Sequence, residues 1–256
     1  MSFRTFYINN SFVRYQEFLS GDPVFEKFYL IENPSQIDII AIPDSYIDLE
    51  FTWENNTCRG YACGSFLQGR KSMVSRYQRC FGMKLRPDVR FRFLSHNIQN
   101  LVDSRIPLTE FLDVSLLEEH LSECADFAQM LDTAQSFFNN KQFFTLPVIA
   151  SGAAKMITQT TGIQRITDIA SSMGYSQQYV NNIFRQNYGV SLKKYSDIVR
   201  MQTALRYLES ACVMDVIVDL GYYDQAHFIH DFKQYTSITP TLFVEQVYKN
   251  KQCIIV

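Results

Sequence analysis

The stretch that decides the fold is a pair of matching segments in the last hundred residues. Residues 168–176 read DIASSMGYS, and residues 215–224 read DVIVDLGYYD. The offset is 47 residues up to the turn and 48 after Tyr223, which is inserted in the second turn. Each copy predicts a short helix, a glycine-containing turn and a second helix capped by Ser176 or Asp224. This outline is typical of a helix-turn-helix, whose second helix enters the DNA major groove.

A long amphipathic segment separates the two copies. Residues 191–209 predict a single helix, which at about 1.5 Å per residue spans roughly 28 Å. A rigid spacer of that order can place two recognition helices about one DNA turn apart, near 34 Å, on one face of the duplex. Thr167 is predicted to cap the first short helix.

These residues carry a resemblance to a known family. Residues 147–256 resemble the DNA-binding domain of the AraC/XylS family of bacterial transcription regulators. The motifs are ITDIA (166–170), GYS (174–176), FR (184–185), GVS (189–191), GYYDQAHF (221–228), DFK (231–233) and TP (239–240). Residues 1–145 resemble more loosely the effector domain of AraC-like regulators. The resemblance implies an effector and dimerisation domain over 1–145 and a DNA-binding domain over 146–256.

The exposed faces of the two recognition helices supply the candidate DNA contacts. Val180, Ile183 and Phe184 are expected to face the core, which turns the amides of the first helix outward. Glutamine and asparagine match the N6/N7 pair of adenine, and an exposed isoleucine beside alanine suits thymine methyl groups. By similarity to the family, Gln178, Asn181 and Asn182 occupy base-reading positions. The predicted contacts are Gln177, Gln178, Asn181, Asn182 and Arg185, then Gln225, Ala226, Ile229, His230 and Lys233.

The second unit departs from the family pattern at four positions. His230 stands where arginine is common, Ile217 where alanine is usual, Met214 at the cap position and Ser237 where glycine usually ends the helix. The leading hypothesis is a sequence-specific transcription regulator that reads two successive major grooves of double-stranded DNA and responds to a small effector. The alternative is a protein-binding module whose second helix-turn-helix no longer reads DNA. RNA polymerase is a further candidate partner.

The first half of the chain predicts strands, so the expected class is α+β. Alternation over residues 46–53 places Ile47, Leu49, Phe51 and Trp53 on one face of a half-buried strand. Several such strands indicate a small antiparallel β-barrel with trailing helices. Seventeen of the 21 phenylalanines precede residue 150. They either fill a core or line an apolar cavity.

One long helix is predicted over residues 116–138. Its apolar stripe includes Leu117, Leu121 and Leu131. Such a stripe packs on its own domain or forms the seam of a homodimer, and the sequence favours neither.

Composition and motifs argue against several other classes. Net charge is −2, divided as −4 over residues 1–150 and +2 over 151–256, which agrees with an anion-binding second half. Residues 64–72 (GSFLQGRKS) resemble a phosphate-binding loop, but Arg70 interrupts the required Gly-Lys-Ser/Thr. The six cysteines show no metal-ligand spacing, so no metal is expected. Neither a G-x-S-x-G nor an H-E-x-x-H motif occurs, so no enzyme activity and no cofactor are expected. Without a secretion signal or apolar span, the expected location is the cytoplasm.

Overall fold

A computed structural model describes residues 3–9, 12–95 and 98–256. The first half is built on a six-stranded antiparallel sheet in the order β10-β6-β5-β8-β3-β2. The strands of the chain are β1 Phe6–Asn9, β2 Arg14–Leu19, β3 Phe25–Glu32, β4 Ile40–Ala41, β5 Asp48–Glu54, β6 Thr57–Cys63, β7 Arg70–Lys71, β8 Arg79–Leu85, β9 Val89–Phe91, β10 Arg105–Pro107, β11 Phe143–Thr145 and β12 Cys253–Ile255.

Helices follow and cover this framework. They are α1 Ile98–Leu101, α2 Ser115–Glu123, α3 Phe127–Phe138, α4 Val148–Gln159, α5 Ile166–Ser172, α6 Gln177–Tyr188, α7 Leu192–Tyr207, α8 Val213–Asp219, α9 Gln225–Thr236 and α10 Pro240–Phe243, with a π-helical turn over Val244–Lys249. The α+β class is therefore confirmed. Within the described ranges the sheet is open, with β2 and β10 at its edges, so the expected barrel is not closed.

One face of the large sheet packs a dense aromatic core. Leu49 and Phe51 of β5 are fully buried there, as the alternation predicts. Phe25, Phe91 and Phe138 lie with ring centroids 5.4–5.8 Å apart, in the range of favourable aromatic pairs. Of the two roles left open for the phenylalanines, this group fills the core.

The opposite face of the sheet is buried as well. A second sheet, ordered β12-β1-β4-β7, contributes its own apolar residues against it. The expectation of a half-buried β5 is therefore wrong, because Asp48, Glu50 and Thr52 on its polar side are also enclosed. Their side chains meet residues from other parts of the chain: Asp48 lies 3.4 Å from Lys84, and Glu50 lies 3.4 Å from Arg105.

Ion pairs compensate the charges buried between the sheets. The amine of Lys84 bonds to Asp44 and lies 3.4 Å from Asp48. Burial opposes the charged form of Lys84, but the two carboxylates outweigh it and raise the pKa of the amine. Burial raises the pKa of Asp48 to about 7, despite the opposing effect of Lys84, with Asp44 and Glu50 adding to the rise. The single amine of Lys84 thus faces two carboxylates, and Asp48 is the one whose raised pKa favours the protonated form.

The predicted long helix over residues 116–138 is wrong at its centre. It is two helices, α2 and α3, because the chain leaves the helix at Cys124 and Asp126 caps α3 by accepting from Gln129 N at 2.9 Å. Leu117 and Leu121 are buried in the aromatic core, and Leu131 packs against it. A homodimer seam through Leu117, Leu121 and Leu131 is therefore wrong, and the stripe packs on its own domain.

The repeated segment forms two helix-turn-helix units, α5–α6 and α8–α9, joined by α7. The spacer helix is shorter than predicted, since Ser191 is its cap and it ends at Tyr207, giving 16 residues and about 24 Å. The predicted cap at Thr167 is wrong: this residue lies inside α5, which begins after Arg165 with no side-chain cap.

The two halves of the chain are in direct contact. Gln202 of α7 is buried, and its amide donates to the carbonyl oxygens of Arg4 (2.7 Å) and Pro43 (2.8 Å) while its oxygen accepts from Arg4 N (2.7 Å). Ile42 belongs to the same apolar cluster as α7, α8 and α9. The second helix-turn-helix unit and the first half thus share a core.

None of the described helices is both long enough and apolar enough to cross a lipid bilayer.

We predict that Asp48→Asn flattens the pH dependence of stability. The raised pKa of Asp48 means that the folded state holds an extra proton between about pH 4 and 7, so this group's contribution to stability falls as pH rises through that window. Urea unfolding from pH 5 to 8 should show a slope shallower in the variant by up to about 1.4 kcal/mol per pH unit. Asp38→Asn, whose side chain is 63% exposed, is the control and should keep the wild-type slope. An unchanged slope in Asp48→Asn contradicts the assignment.

Candidate nucleic-acid interface

Helix α6 presents a polar face of amides. The Ser176 hydroxyl accepts from Tyr179 N at 3.2 Å and begins the helix, as the sequence predicts. Val180, Phe184 and Tyr188 are buried against α4 and α7. The remaining faces point to solvent, and the exposed members of the predicted contact set are Gln177, Gln178, Asn182 and Arg185.

Asn181 has a structural contact that sequence reasoning missed. It is only partly exposed, and its Oδ1 accepts from the backbone N–H of Leu192 at 3.0 Å. This bond ties α6 to the first turn of α7. No periodicity signals it, because the two residues are 11 apart and belong to different helices. The oxygen is thus already shared with α7, while the Nδ2 group can still donate to a partner.

A shallow cleft of about 480 Å³ lies where α6 meets α5 and α7. Gln177, Gln178 and Asn181 line it together with Lys193 and Ile166. Lys193 pairs with Asp197 on its own helix at 2.6 Å. The cleft therefore lies beside the first turn of α6 and combines the amide groups of that helix with one lysine of α7.

Helix α9 repeats the arrangement with different chemistry. The Asp224 carboxylate accepts from His227 N at 2.7 Å and caps the helix, again as predicted. Phe228 and Phe232 are fully buried in the second core. The predicted contacts Gln225, Ala226, His230 and Lys233 are exposed, and Ile229 is partly exposed.

An acid–base group flanks the inner side of α9. His227 Nε2 lies 3.5 Å from Asp231, and its ring packs edge-on against Tyr222 at 5.4 Å. Arg200 of α7 reaches the same carboxylate at 3.9 Å. His227 is 44% exposed and contacts its own helix and the turn before it, while Arg200 joins α7 to the same carboxylate.

The departures in the second unit are accommodated within the fold. Ile217 is buried in the core shared with α7, and Met214 lies half-exposed on α8. Ser237 ends α9 with φ +66°, the left-handed conformation that usually favours glycine at this position. Both units therefore keep complete, capped recognition helices.

No group of three or more histidine, cysteine, aspartate or glutamate side chains among the described residues is arranged to hold a metal ion.

Comparison with known proteins places this geometry in a family. A family model described as a helix-turn-helix domain matches residues 169–246. The Msm operon regulatory protein of Streptococcus mutans is 30% identical over 88 residues, covering 34% of this chain and 32% of that protein. Residues 169–246 are a helix-turn-helix domain. The resemblance to AraC/XylS regulators is confirmed over this part of the chain.

Other known proteins are similar to this chain at lower sequence identity. A protein of Bacillus subtilis named as an uncharacterized HTH-type transcriptional regulator, YtdP, is 24% identical over 166 residues, 60% of this chain and 22% of that protein. The match thus spans about a third of the first relative and about a fifth of the second. ToxT of Vibrio cholerae aligns over 94% of this chain and 98% of its own, with 12% identity and a TM-score of 0.43. The C-terminal domain of AraT from Geobacillus stearothermophilus aligns over 40% and 87%, with 20% identity and a TM-score of 0.37.

Asn181 and Asn182 are neighbours with different roles, which predicts different stability effects. Asn181→Ala removes the acceptor for Leu192 N and should lower the free energy of unfolding by about 1 kcal/mol. Asn182→Ala changes an exposed side chain and should stay within about 0.5 kcal/mol of wild type. Urea unfolding of both variants checks this. Equal effects would show that the Asn181 bond contributes nothing.

Proposed function

We propose that this protein is a DNA-binding transcription regulator that reads two successive major grooves. The observation that carries the proposal is the pair of capped recognition helices, α6 and α9, each buried on one side and polar on the other. A helix of this kind fits the width of the major groove, and its first turns reach the base edges. The regulatory names of the two curated relatives support the same function.

The two helices differ in the bases that they suit. Gln178 and Asn182 on α6 can each donate to and accept from adenine, while the oxygen of Asn181 is already shared with Leu192 N. On α9, Ala226 and Ile229 offer apolar contacts for thymine methyl groups beside the imidazole of His230. Arg185 and Lys233, each in the second half of its helix, are placed for phosphates. The first box is thus expected to contain adenines at the α6 positions.

We further propose that a small effector binds where the two halves meet. The phenylalanine-rich core of the sheet is packed, whereas a cavity of about 630 Å³ opens between the first half and helices α4, α6 and α7. Its walls combine aromatic and charged groups, among them Glu26, Tyr46, Arg86, Lys155, Tyr188 and Tyr195. Because these residues come from both halves, an occupant would alter how the halves rest on each other.

DNA selection from a random pool with the full chain tests the regulator function. We expect one enriched site with two boxes about one helical turn apart, and affinity that falls steeply with salt. Gln178→Ala should weaken binding to that site by about 5- to 150-fold, the value of one bidentate base contact. Gln159→Ala, an exposed glutamine near the end of α4, is the matched control and should leave the affinity unchanged.

Phosphate contacts have a different signature. Arg185→Ala should weaken binding to all sequences alike and reduce the slope of log affinity against log salt by about one. Failure of the folded full chain to enrich any sequence would contradict the proposal. The protein-binding alternative would then become the leading hypothesis.

A further inference from the structure

Two stretches of the first half lie against the far ends of both recognition helices. We call residues 64–72 and 98–104 together the brace. The first stretch contacts the end of α9, and the second contacts the end of α6. Neither stretch belongs to the helix-turn-helix units themselves.

The contact with α9 depends on a glycine. Gly69 N donates to the carbonyl oxygen of Gln234 at 2.9 Å, and the Ser237 hydroxyl donates to the carbonyl oxygen of Gly69 at 3.4 Å. A Cβ at residue 69 would overlap the backbone carbonyl of Tyr235. Backbone cannot move aside as a flexible side chain can, so this close approach requires glycine.

The contact with α6 is also a close approach at a helix end. Gly189 ends α6 in the left-handed conformation, φ +78°. A Cβ there would come within 2.7 Å of Val102 Cγ2 and 3.0 Å of the carbonyl oxygen of Ile98. Helix α1 and the turn after it therefore rest directly on the last turn of the first recognition helix.

The two stretches of the brace are bonded to each other. Asp103 N donates to Ser65 O at 3.0 Å, and Leu67 N donates to Asp103 Oδ1 at 3.0 Å. The Arg70 guanidinium donates to Asp103 O at 3.3 Å and stacks 3.9 Å from the Phe66 ring. The brace is thus one connected unit that touches both helix ends.

The brace also accounts for the sequence that resembles a phosphate-binding loop. Gly64 packs against the Leu101 carbonyl and Gly69 against the Tyr235 carbonyl. Arg70, the residue that interrupts the motif, donates a hydrogen bond to Asp103 O and lies 3.8 Å from its carboxylate. The spaced glycines therefore serve backbone-to-backbone contact.

We propose that the brace fixes the distance and orientation between α6 and α9, and so determines the spacing between the two DNA boxes that the protein accepts. Within the AraC-type domain the two units are linked through α7, from which a short turn at residues 208–212 leads to α8. Because the ends of α6 and α9 both contact the brace, the brace restricts movement of one helix-turn-helix unit relative to the other about this turn. The inference rests on the proposed function, because it concerns how the same interface recognises DNA.

The test compares spacing preference in full-length variants. Gly69→Val should separate the brace from α9, and Gly21→Val is the matched control because nothing lies within 4 Å of a Cβ at that position. Affinity is measured for the selected site and for sites with one or two base pairs added or removed between the boxes. Wild type and Gly21→Val should lose at least about 10-fold on a two-base-pair change, since each base pair adds about 3.4 Å and turns the second box around the axis. Gly69→Val should lose about 3-fold or less, with single-box affinity unchanged.

A second pair of variants covers the case in which Gly69→Val does not fold. Asp103→Gly weakens the brace: it removes the carboxylate that accepts from Leu67 N and faces Arg70, keeps the main-chain bonds to Ser65 and Arg70, and suits the positive φ at this position (+55°). Asp103→Asn keeps an oxygen for Leu67 N. We expect relaxed spacing in Asp103→Gly and the wild-type preference in Asp103→Asn.

The outcomes separate the two proposals. Wild-type spacing preference in folded Gly69→Val and Asp103→Gly would overturn the brace and leave DNA recognition intact. If the wild type selects no DNA, the regulator function fails, and amide hydrogen exchange still tests the brace: faster exchange at the end of α9 in Gly69→Val, but not in Gly21→Val, supports it. Unchanged exchange there overturns it.

Discussion

The antiparallel pairing of β12 with β1 is the constraint on which the arrangement of the halves depends. Residues 253–255 bond in register with residues 7–9, and β1 in turn pairs with β4. A strand that follows the second helix-turn-helix thereby becomes part of the cover over the large sheet. Residues Cys253 and Ile255 of this strand are buried in the same apolar cluster as α7, α8 and α9. The pairing therefore ties the helix-turn-helix half to the sheet half through main-chain bonds that depend little on side-chain identity.

Much of the second half could be predicted from the sequence because its signals are local. Caps at Ser176 and Asp224 and the buried positions Val180 and Phe228 follow from neighbours within one or two turns. The predictions of a cap at Thr167 and of an unbroken helix over residues 116–138 were wrong although the signals there are local too, because α5 already begins at Ile166 and a second helix begins after Asp126. Asp126 competes as a new cap in mid-stripe, and an apolar stripe alone does not register such a break.

In the first half, burial could be predicted only for side chains whose environment follows from the alternation within a single strand. Alternation in β5 correctly placed Leu49 and Phe51 in the core, but it assigned the polar side to solvent. Asp48 and Glu50 are buried beside Lys84 and Arg105, which lie on other strands, and alternation within one strand cannot indicate such pairs. The same limit applies to the candidate site. Its exposed amides follow from helix geometry, while the bond from Leu192 to Asn181 requires the angle between two helices.

Under the proposed function, Asn181 also bears on how a new DNA preference can arise. Its oxygen is engaged with the start of α7, so a change at this position alters base contact and helix packing together. Gln178 and Asn182 are exposed, so substitutions there are expected to change the stability of the fold little. If the proposed function holds, a change of DNA preference therefore costs least stability at residues 178 and 182, while a change at residue 181 also requires repacking of the α6–α7 junction.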